Sequence, residues 1–372
     1  MVTIKKHKIY ISIAVTLIFI LCCIGSKGEL VENLQIPVAV GADIDKDKDP
    51  ANIYKIPFLV YSFEEQGKVS SNIITGDGKS IGDTRENRQL KSGTKSTIGL
   101  SRIFVFSEAY ATFGLRTFLD ICINNPQIND RALCVVCIGK AEDILKYNVV
   151  GYGNSAEFID KMVTNLQQYN FYPMQYTLID LIVRVDTEGR NAVLPIIKIK
   201  GTNIETSGLA IFKKDKLVGK ADVKEAKIIN ILKENNVKGI LTLQKDSQNY
   251  INCYTVSKRK IKCDKKDGKY KFVITLDLNG SIISNELYDN LQNNPQLLKK
   301  FEEDMKIYVK KMCNESINKI KCEYRTDILD LGLVAAAKYG RETNTDWNKV
   351  ICDSDIQVNV KFSVNTEGRG DL

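Results

Sequence analysis

Several short spacings in this chain could do chemistry, and each is incomplete. Gly76-Asp77-Gly78-Lys79-Ser80 resembles the end of a phosphate-cradling loop. The full pattern, G-x-x-x-x-G-K-[ST], needs glycine where Ile73 stands and an apolar helix behind it to aim its N-terminus at the phosphate. The polar residues that follow offer none. Asp43, Asp45, Asp47 and Asp49 alternate like the oxygen ligands of a calcium loop. Started at Asp45, such a loop needs Gly at Pro50 and Glu at Ile56; started at Asp43, it needs them at Lys48 and Tyr54. Pro50 and the interleaved lysines suggest a polar hairpin turn instead. Ser92-Gly93-Thr94-Lys95 fits S-x-x-K without its companion motifs. Arg369-Gly370-Asp371 matches an adhesion tripeptide that chance accounts for.

The ten cysteines are the next candidates. Cys134-Val-Val-Cys137 has redox spacing, but a reactive CxxC sits at a helix N-terminus, where the dipole lowers the thiol pKa. Here it lies in an apolar run, Ala132–Ile138, that reads as a buried strand. Positions i and i+3 of a strand point to opposite faces, so the two sulfurs could neither pair nor share a metal. Cys253 and Cys263 each lie five residues from Lys258. A hairpin with its tip there would face one against the other, within disulfide reach.

Histidine is nearly absent: His7 is the only one. It sits in a basic start, Lys5-Lys6-His7-Lys8, followed by a 13-residue apolar run from Ile9 to Leu21 and the exit Cys22-Cys23-Ile24-Gly25. At about 1.5 Å per residue the run reaches roughly 20 Å, short of a hydrocarbon core about 30 Å thick. A charged start, short apolar core and small-residue exit form a signal-peptide pattern. Ile20-Leu21-Cys22-Cys23 further resembles a bacterial lipobox, in which the last Cys becomes the acylated N-terminus. Cys23 is favoured as the lipidation site because small Cys22 then precedes it. The alternative, Cys22, puts bulky Leu21 in that slot.

Cleavage before Cys23 removes three lysines and the sole histidine. A His-free body can build no Ser-His-Asp or Cys-His apparatus, no H-E-x-x-H zinc site and no imidazole acid–base pair. We therefore expect no catalytic residues, no metal and no cofactor. The formal charge of +8 on 372 residues is too thinly spread for a nucleic-acid footprint. With 44% hydrophobic and 26% charged residues, the chain is neither disordered nor a polytopic membrane protein.

The elements that must position these residues alternate. Val38–Asp45 and Tyr54–Phe63 read as strands around the Asp/Lys turn, and residues 64–98 are poorly patterned. A strand at Ile103–Phe106, a helix over 108–121, a strand over 132–138 and a helix over 140–146 imply a small sheet with packed helices. Phe158, Met162 and Leu166 step along a further helix capped by Asn154 or Ser155. A hairpin spans Gly208–Gly219 with its turn at 213–216, and Asp222 caps a helix. A long helix starts near Pro295, with Leu298, Phe301, Met305, Tyr308 and Met312 as its core stripe. Another helix starts at Asp327, and a strand closes the chain at Ile356–Val364. The fold class is therefore α+β or mixed α/β and multidomain, with sheets flanked by helices. The expected units are a signal peptide over 1–22, an N-terminal domain over 23–200 and a C-terminal domain over 201–372, the last divisible into two smaller α/β units.

The chain resembles the Ger(x)C family, the lipoprotein C subunits of nutrient germinant receptors in endospore-forming bacteria. Ala210-Ile-Phe-Lys-Lys-Asp-Lys-Leu-Val-Gly219 with the Glu225 helix, and Thr326-Asp-Ile-Leu-Asp-Leu-Gly332 followed by Trp347 and Glu367-Gly-Arg369, carry the resemblance. Gly41–Lys46, Ile103–Glu108 and Gly139–Leu145 agree in order. Family members often carry Trp and an acidic residue after the lipidated Cys, where this chain has Ile24 and Gly25. The resemblance implies a non-enzymatic, lipid-anchored subunit on the outer face of the spore inner membrane. It would work with integral-membrane A-type and B-type receptor subunits, held to the lipid bilayer by its acylated Cys. A lipoprotein solute-binding component of an importer is the alternative, and it would need two similar lobes around a cleft.

Overall fold

The computed structural model describes residues 2–24, 34–45, 53–63, 69–96, 98–174, 176–291, 293–341 and 344–365. After helix α1 (Val2–Ile24), a parallel core is built from β1 (Leu34–Ile44), β5 (Ile103–Ser107), β6 (Leu133–Cys137) and β7 (Val193–Lys200). β2 (Tyr54–Phe63) and β3 (Val69–Gly78) add antiparallel on one side, and β8 (Asn203–Lys213) and β9 (Lys216–Asp222) on the other. A short strand β4 (Lys95–Ser96) pairs with the start of β1, which makes nine strands among the described residues. Every residue of β5 is buried, as expected where helices cover both faces of a parallel sheet. The β7–β8 hairpin runs across residue 200, so this sheet ends at Asp222.

A second, four-stranded sheet follows in the order β10 (Val237–Gln244), β11 (Tyr250–Lys266), β12 (Lys269–Asn285) and β13 (Asp355–Val364). The chain is thus α+β with two sheets flanked by helices, as its patterning predicts. Helix α8 (Val223–Lys233) packs against β8, β9, β11 and the long helix α9 (Pro295–Lys319), which lies along β13.

The structure corrects several local expectations. β11 is one unbroken 17-residue strand, and the hairpin tip is Asp267-Gly268, not Lys258. Both tip residues have positive φ, 50° and 76°, as an Asp-Gly hairpin turn requires. Cys253 and Cys263 therefore sit ten positions apart on one strand, roughly 33 Å at the usual rise, opposite Ile282 and Phe272. They make no contact.

The helix expected over 108–121 is two, α3 (Glu108–Phe113) and α4 (Arg116–Ile123), broken at Gly114 with φ +132°. Asp215 from the β8–β9 turn accepts the N–H groups freed there: Leu115 donates to its carbonyl at 2.9 Å and Arg116 to its carboxylate at 3.2 Å. Residues 64–98 hold β3 and α2 (Ile81–Leu90), a helix the composition hid. On α6 (Ser155–Tyr169), capped by Asn154, the fully buried stripe is Ala156, Ile159 and Val163, with Phe158, Met162 and Leu166 half-buried beside it.

Candidate functional site

The motifs that invited chemistry fold into structural roles. Ser80 caps α2: its hydroxyl accepts from Asp83 N at 3.1 Å while Asp83 accepts from Ser80 N at 3.1 Å. Lys79-Ser80 therefore opens a helix after all, but a polar one whose first turn is already satisfied. Asp43, 4% exposed, accepts from Ala141 N at 2.7 Å and Glu142 N at 3.0 Å, capping α5 (Ala141–Lys146) from across the sheet. Burial raises its carboxyl pKa despite those two donors. Asp45 lies in the loop after β1; Asp47 and Asp49 fall outside the described residues, as does Arg369-Gly370-Asp371. Ser92 and Thr94 close a local turn through their own hydrogen bonds. Cys134 and Cys137 are fully buried in β6, and burial pushes both thiols well above the ordinary range. Cys22 is exposed on α1; Cys23 lies in the last turn of that helix, with its side chain outside the described residues. Among the described residues no three His, Cys, Asp or Glu side chains converge as a metal site.

The densest polar constellation lies where the two sheets meet. Three segments far apart in sequence converge there: α7 (Leu178–Asp186) with the loop to Asn191, the end of α8, and the stretch Thr326–Gly332 leading into α10 (Leu331–Tyr339). Asp330, 6% exposed and in the left-handed region at φ 58°, takes Arg184 at 2.9 and 3.2 Å, Lys233 at 3.2 Å and Arg190 at 3.5 Å. Glu234 adds a second carboxylate, 3.7 Å from Arg184 and 3.6 Å from Lys233. Arg259 donates from β11 to the carbonyls of Leu232 and Leu329 at 2.7 and 3.1 Å. One carboxylate thus ties both halves of the chain together.

Asp327, fully buried, folds its own loop by accepting from Leu329 N at 3.1 Å, Leu331 N at 3.2 Å and Gly332 N at 2.6 Å. Asn348, on α11 (Trp347–Asp353), accepts from Thr326, Asp327 N and Asn191 at 2.8–3.0 Å. Trp347 donates to Glu188 at 2.7 Å. A cleft of about 670 Å³ opens beside this seam, lined in part by Arg116, Glu188, Lys213 and Trp347.

The electrostatics of the two aspartates are opposite. Burial would raise Asp330, but Lys233, Arg184 and Arg190 outweigh it and hold the carboxyl well below the usual carboxylate range. Burial lowers Lys233 despite Asp330, whereas Asp330 and Glu234 raise Arg184 against its own burial. Among the described residues Asp327 has no cation within 4.0 Å; burial pushes it up to about 7, the Asp330 charge adding to this, although three backbone N–H groups pull it down. An unfolded carboxyl ionises near pH 4, so between about 4 and 7 the folded state holds the extra proton. In that window Asp327 makes stability fall as pH rises. Asp327→Asn should flatten this slope: denaturation midpoints measured across the window should fall less steeply in the variant than in the parent. Equal slopes would contradict the assignment. The arrangement is a clamp of buried, mutually neutralised charges.

Backbones meet closely at the same seam. Gly189 has φ +70°, and a Cβ there would lie 2.4 Å from Gly332 C and Leu333 N. Leu333 N donates to Gly189 O at 3.0 Å, so the loop cannot back away without losing that bond. Gly189→Ala is expected to cost about 2–4 kcal/mol from the left-handed conformation and overpacking together. A chemical denaturation curve that superimposes on the parent's would show that the two loops are not locked.

Comparison with known proteins places this geometry. Residues 28–199 match the family described as spore germination protein N-terminal domain, and residues 207–368 match the family described as spore germination B3/GerAC like, C-terminal. The chain belongs to the Ger(x)C family. The spore germination protein GerQC of Bacillus cereus is 23% identical over 334 residues, 89% of each chain. The putative spore germination protein YfkR of Bacillus subtilis (strain 168) is 30% identical over 218 residues, 54% of this chain and 55% of that one. The crystal structure of the GerBC protein superimposes with a TM-score of 0.54 at 14% identity, covering 87% of this chain and 97% of that one, and so shares its fold. In this Ger(x)C chain, two of the segments that carry the resemblance, Thr326–Gly332 and Trp347, help to build the seam.

Residues Arg184, Lys233, Asn191 and Glu188 were not singled out by sequence reasoning. The one signal available was Asp327-Ile-Leu-Asp330, two carboxylates in an otherwise apolar stretch. Burying such a stretch demands partners for both.

Proposed function

We propose that this chain is a lipid-anchored, non-enzymatic subunit of a nutrient germinant receptor. The observation that carries the reading is the succession of two spore-germination family matches, over 28–199 and 207–368, in one chain. GerQC, named for spore germination, aligns with 89% of it. Residues 1–22 serve as the export signal, and Cys23 becomes the acylated N-terminus, with Cys22 as the alternative. The lipobox-like exit supports this, as does the exposure of α1. From Tyr10 to Cys22 its side chains are exposed, Phe19 at 69%, so an apolar surface is left for lipid or for removal. Among the described residues no helix is long and apolar enough to cross a membrane. Two acyl chains hold a body stably where one holds it marginally.

The body then consists of units over 23–200 and 201–372, the second lending β8 and β9 to the first unit's sheet, on the outer face of the spore inner membrane, where it assembles with the integral-membrane A-type and B-type subunits. Its role is to build the receptor or pass on the nutrient signal. The importer reading is weaker: nine mixed strands and four largely antiparallel ones are not two similar lobes, and the seam between them is filled by buried ion pairs. Affinity capture from detergent-solubilised spore membranes tests the assembly. A- and B-type subunits should co-purify with the tagged chain, and their absence would contradict it.

A further inference from the structure

The four-stranded sheet is covered on one face only. The residues of β11, β12 and β13 that point to α8, α9 and α10 are buried, among them Cys253, Phe272, Leu276 and Val360. The opposite face is open apart from its β10 side, where Tyr169 of α6 packs on Tyr254 with ring centroids 5.9 Å apart. Directly opposed residues share a face, so the register sets Lys238 beside Val256, Lys258 beside Asp277, Lys260 beside Thr275 and Lys262 beside Val273. On the far side it sets Lys271 beside Asp355 and Lys361 beside Asp277. All six lysines are exposed, while Val256, Val273 and Thr275 form a half-buried, β-branched centre between them.

Little on this face neutralises them. Asp264 lies 3.1 Å from Lys338 of α10, and Asp355 lies 3.6 Å from Lys271. Asp277 is the remaining carboxylate, shared in register by Lys258 and Lys361. Among the described residues, Lys238, Lys258, Lys260, Lys262 and Lys361 have no carboxylate within 4.0 Å. The covered side differs: α9 interleaves acids with its lysines, as in the Lys306–Glu303 pair at 2.9 Å. This face thus carries six exposed lysines against three carboxylates, Asp264, Asp277 and Asp355.

We propose that this open face rests on an anionic phospholipid bilayer, so that the body lies with α9 pointing away from the membrane. Attraction to anionic headgroups fades within a Debye length, about 8–10 Å. Lys258, Lys260 and Lys262 alternate along one strand, about 7 Å apart, so they approach a surface together. The proposal rests on the anchor reading above. Leu34 of β1 follows Cys23 by 11 residues, so a fully extended tether would span at most roughly 40 Å. That keeps the body within reach of the surface without fixing its orientation; the lysine face supplies the orientation.

The test uses the full chain carrying Cys22→Ala and Cys23→Ala, so that no acyl group contributes. Co-sedimentation is measured with vesicles of phosphatidylcholine, with and without phosphatidylglycerol. Phosphatidylglycerol should strengthen binding, and added salt should remove the gain. K258Q/K260Q/K262Q should weaken the phosphatidylglycerol-dependent part by at least about tenfold, with an unchanged thermal midpoint as the folding control. K300Q/K310Q/K311Q, on α9, should leave it intact. Binding that ignores phosphatidylglycerol, or that the first triple variant leaves unaltered, would overturn the proposal and assign any binding to residues 1–24. Because lipidation is absent by design, a negative result here leaves the Cys23 anchor standing, and mass spectrometry reads that separately.

Discussion

Replacing Asp330 by Asn is expected to cost the folded chain about 3–5 kcal/mol, the range for breaking a buried ion pair by removing one partner. Asn tolerates the left-handed backbone that Asp330 adopts at φ 58°, so the change isolates the charge. Lys233, 2% exposed, and Arg184, 7% exposed, would then share only Glu234. A fall in thermal midpoint of roughly 10 °C is the expected size. The loss should also change how stability responds to acid. A carboxyl held below its unfolded pKa contributes stability above about pH 4 that is lost as pH falls further; Asp330→Asn should lack that acid-side loss. A midpoint within the error of the parent's would show that the cluster is not what joins the halves.

Cys23→Ala is expected to remove the salt-resistant membrane anchor of the mature protein. Buried acyl methylenes contribute about 0.8 kcal/mol each, and the alternative site, Cys22, is disfavoured by bulky Leu21 before it. The variant should appear either as a precursor held by residues 9–21 or as a body in the soluble fraction. Cys22→Ala should be tolerated, because it gives the position before Cys23 a better lipobox residue. Lipid found on Cys22 by mass spectrometry, or continued processing and lipidation of the Cys23→Ala chain, would refute the site. An intact Met1 in the parent would mark a signal anchor instead.

Much of the fold was readable where one local rule acted alone. The Pro295 start of α9, the Asp222–Glu225 capping box of α8 and the Lys213–Lys216 turn appear where local chemistry puts them. The burial of Cys134 and Cys137 followed from an apolar run in a sheet covered on both faces. Where two rules compete, a single local signal misleads. Symmetry of two cysteines about Lys258 outweighed the Asp267-Gly268 signal nine residues on, which is the true turn. The Ser80-x-x-Asp83 capping box marked α2, but the polar composition around it hid the helix.

The seam was illegible for a different reason. Arg184 and Asp330 are 146 residues apart, and Lys233 and Asp330 are 97 apart. No spacing rule connects them, and each reads alone as an ordinary charge on an amphipathic helix or in a loop. Only the packing of α7 and α8 against the Thr326–Gly332 stretch turns them into one cluster.

The most direct measurement of the central reading is nutrient-triggered germination of spores whose only Ger(x)C gene is this one. Deleting it should leave vegetative growth and sporulation intact and abolish the response to nutrients. Reintroducing the parent gene should restore the response, and reintroducing the Cys23→Ala gene should restore it poorly. Normal germination of the deletion strain on every nutrient tried would contradict the account.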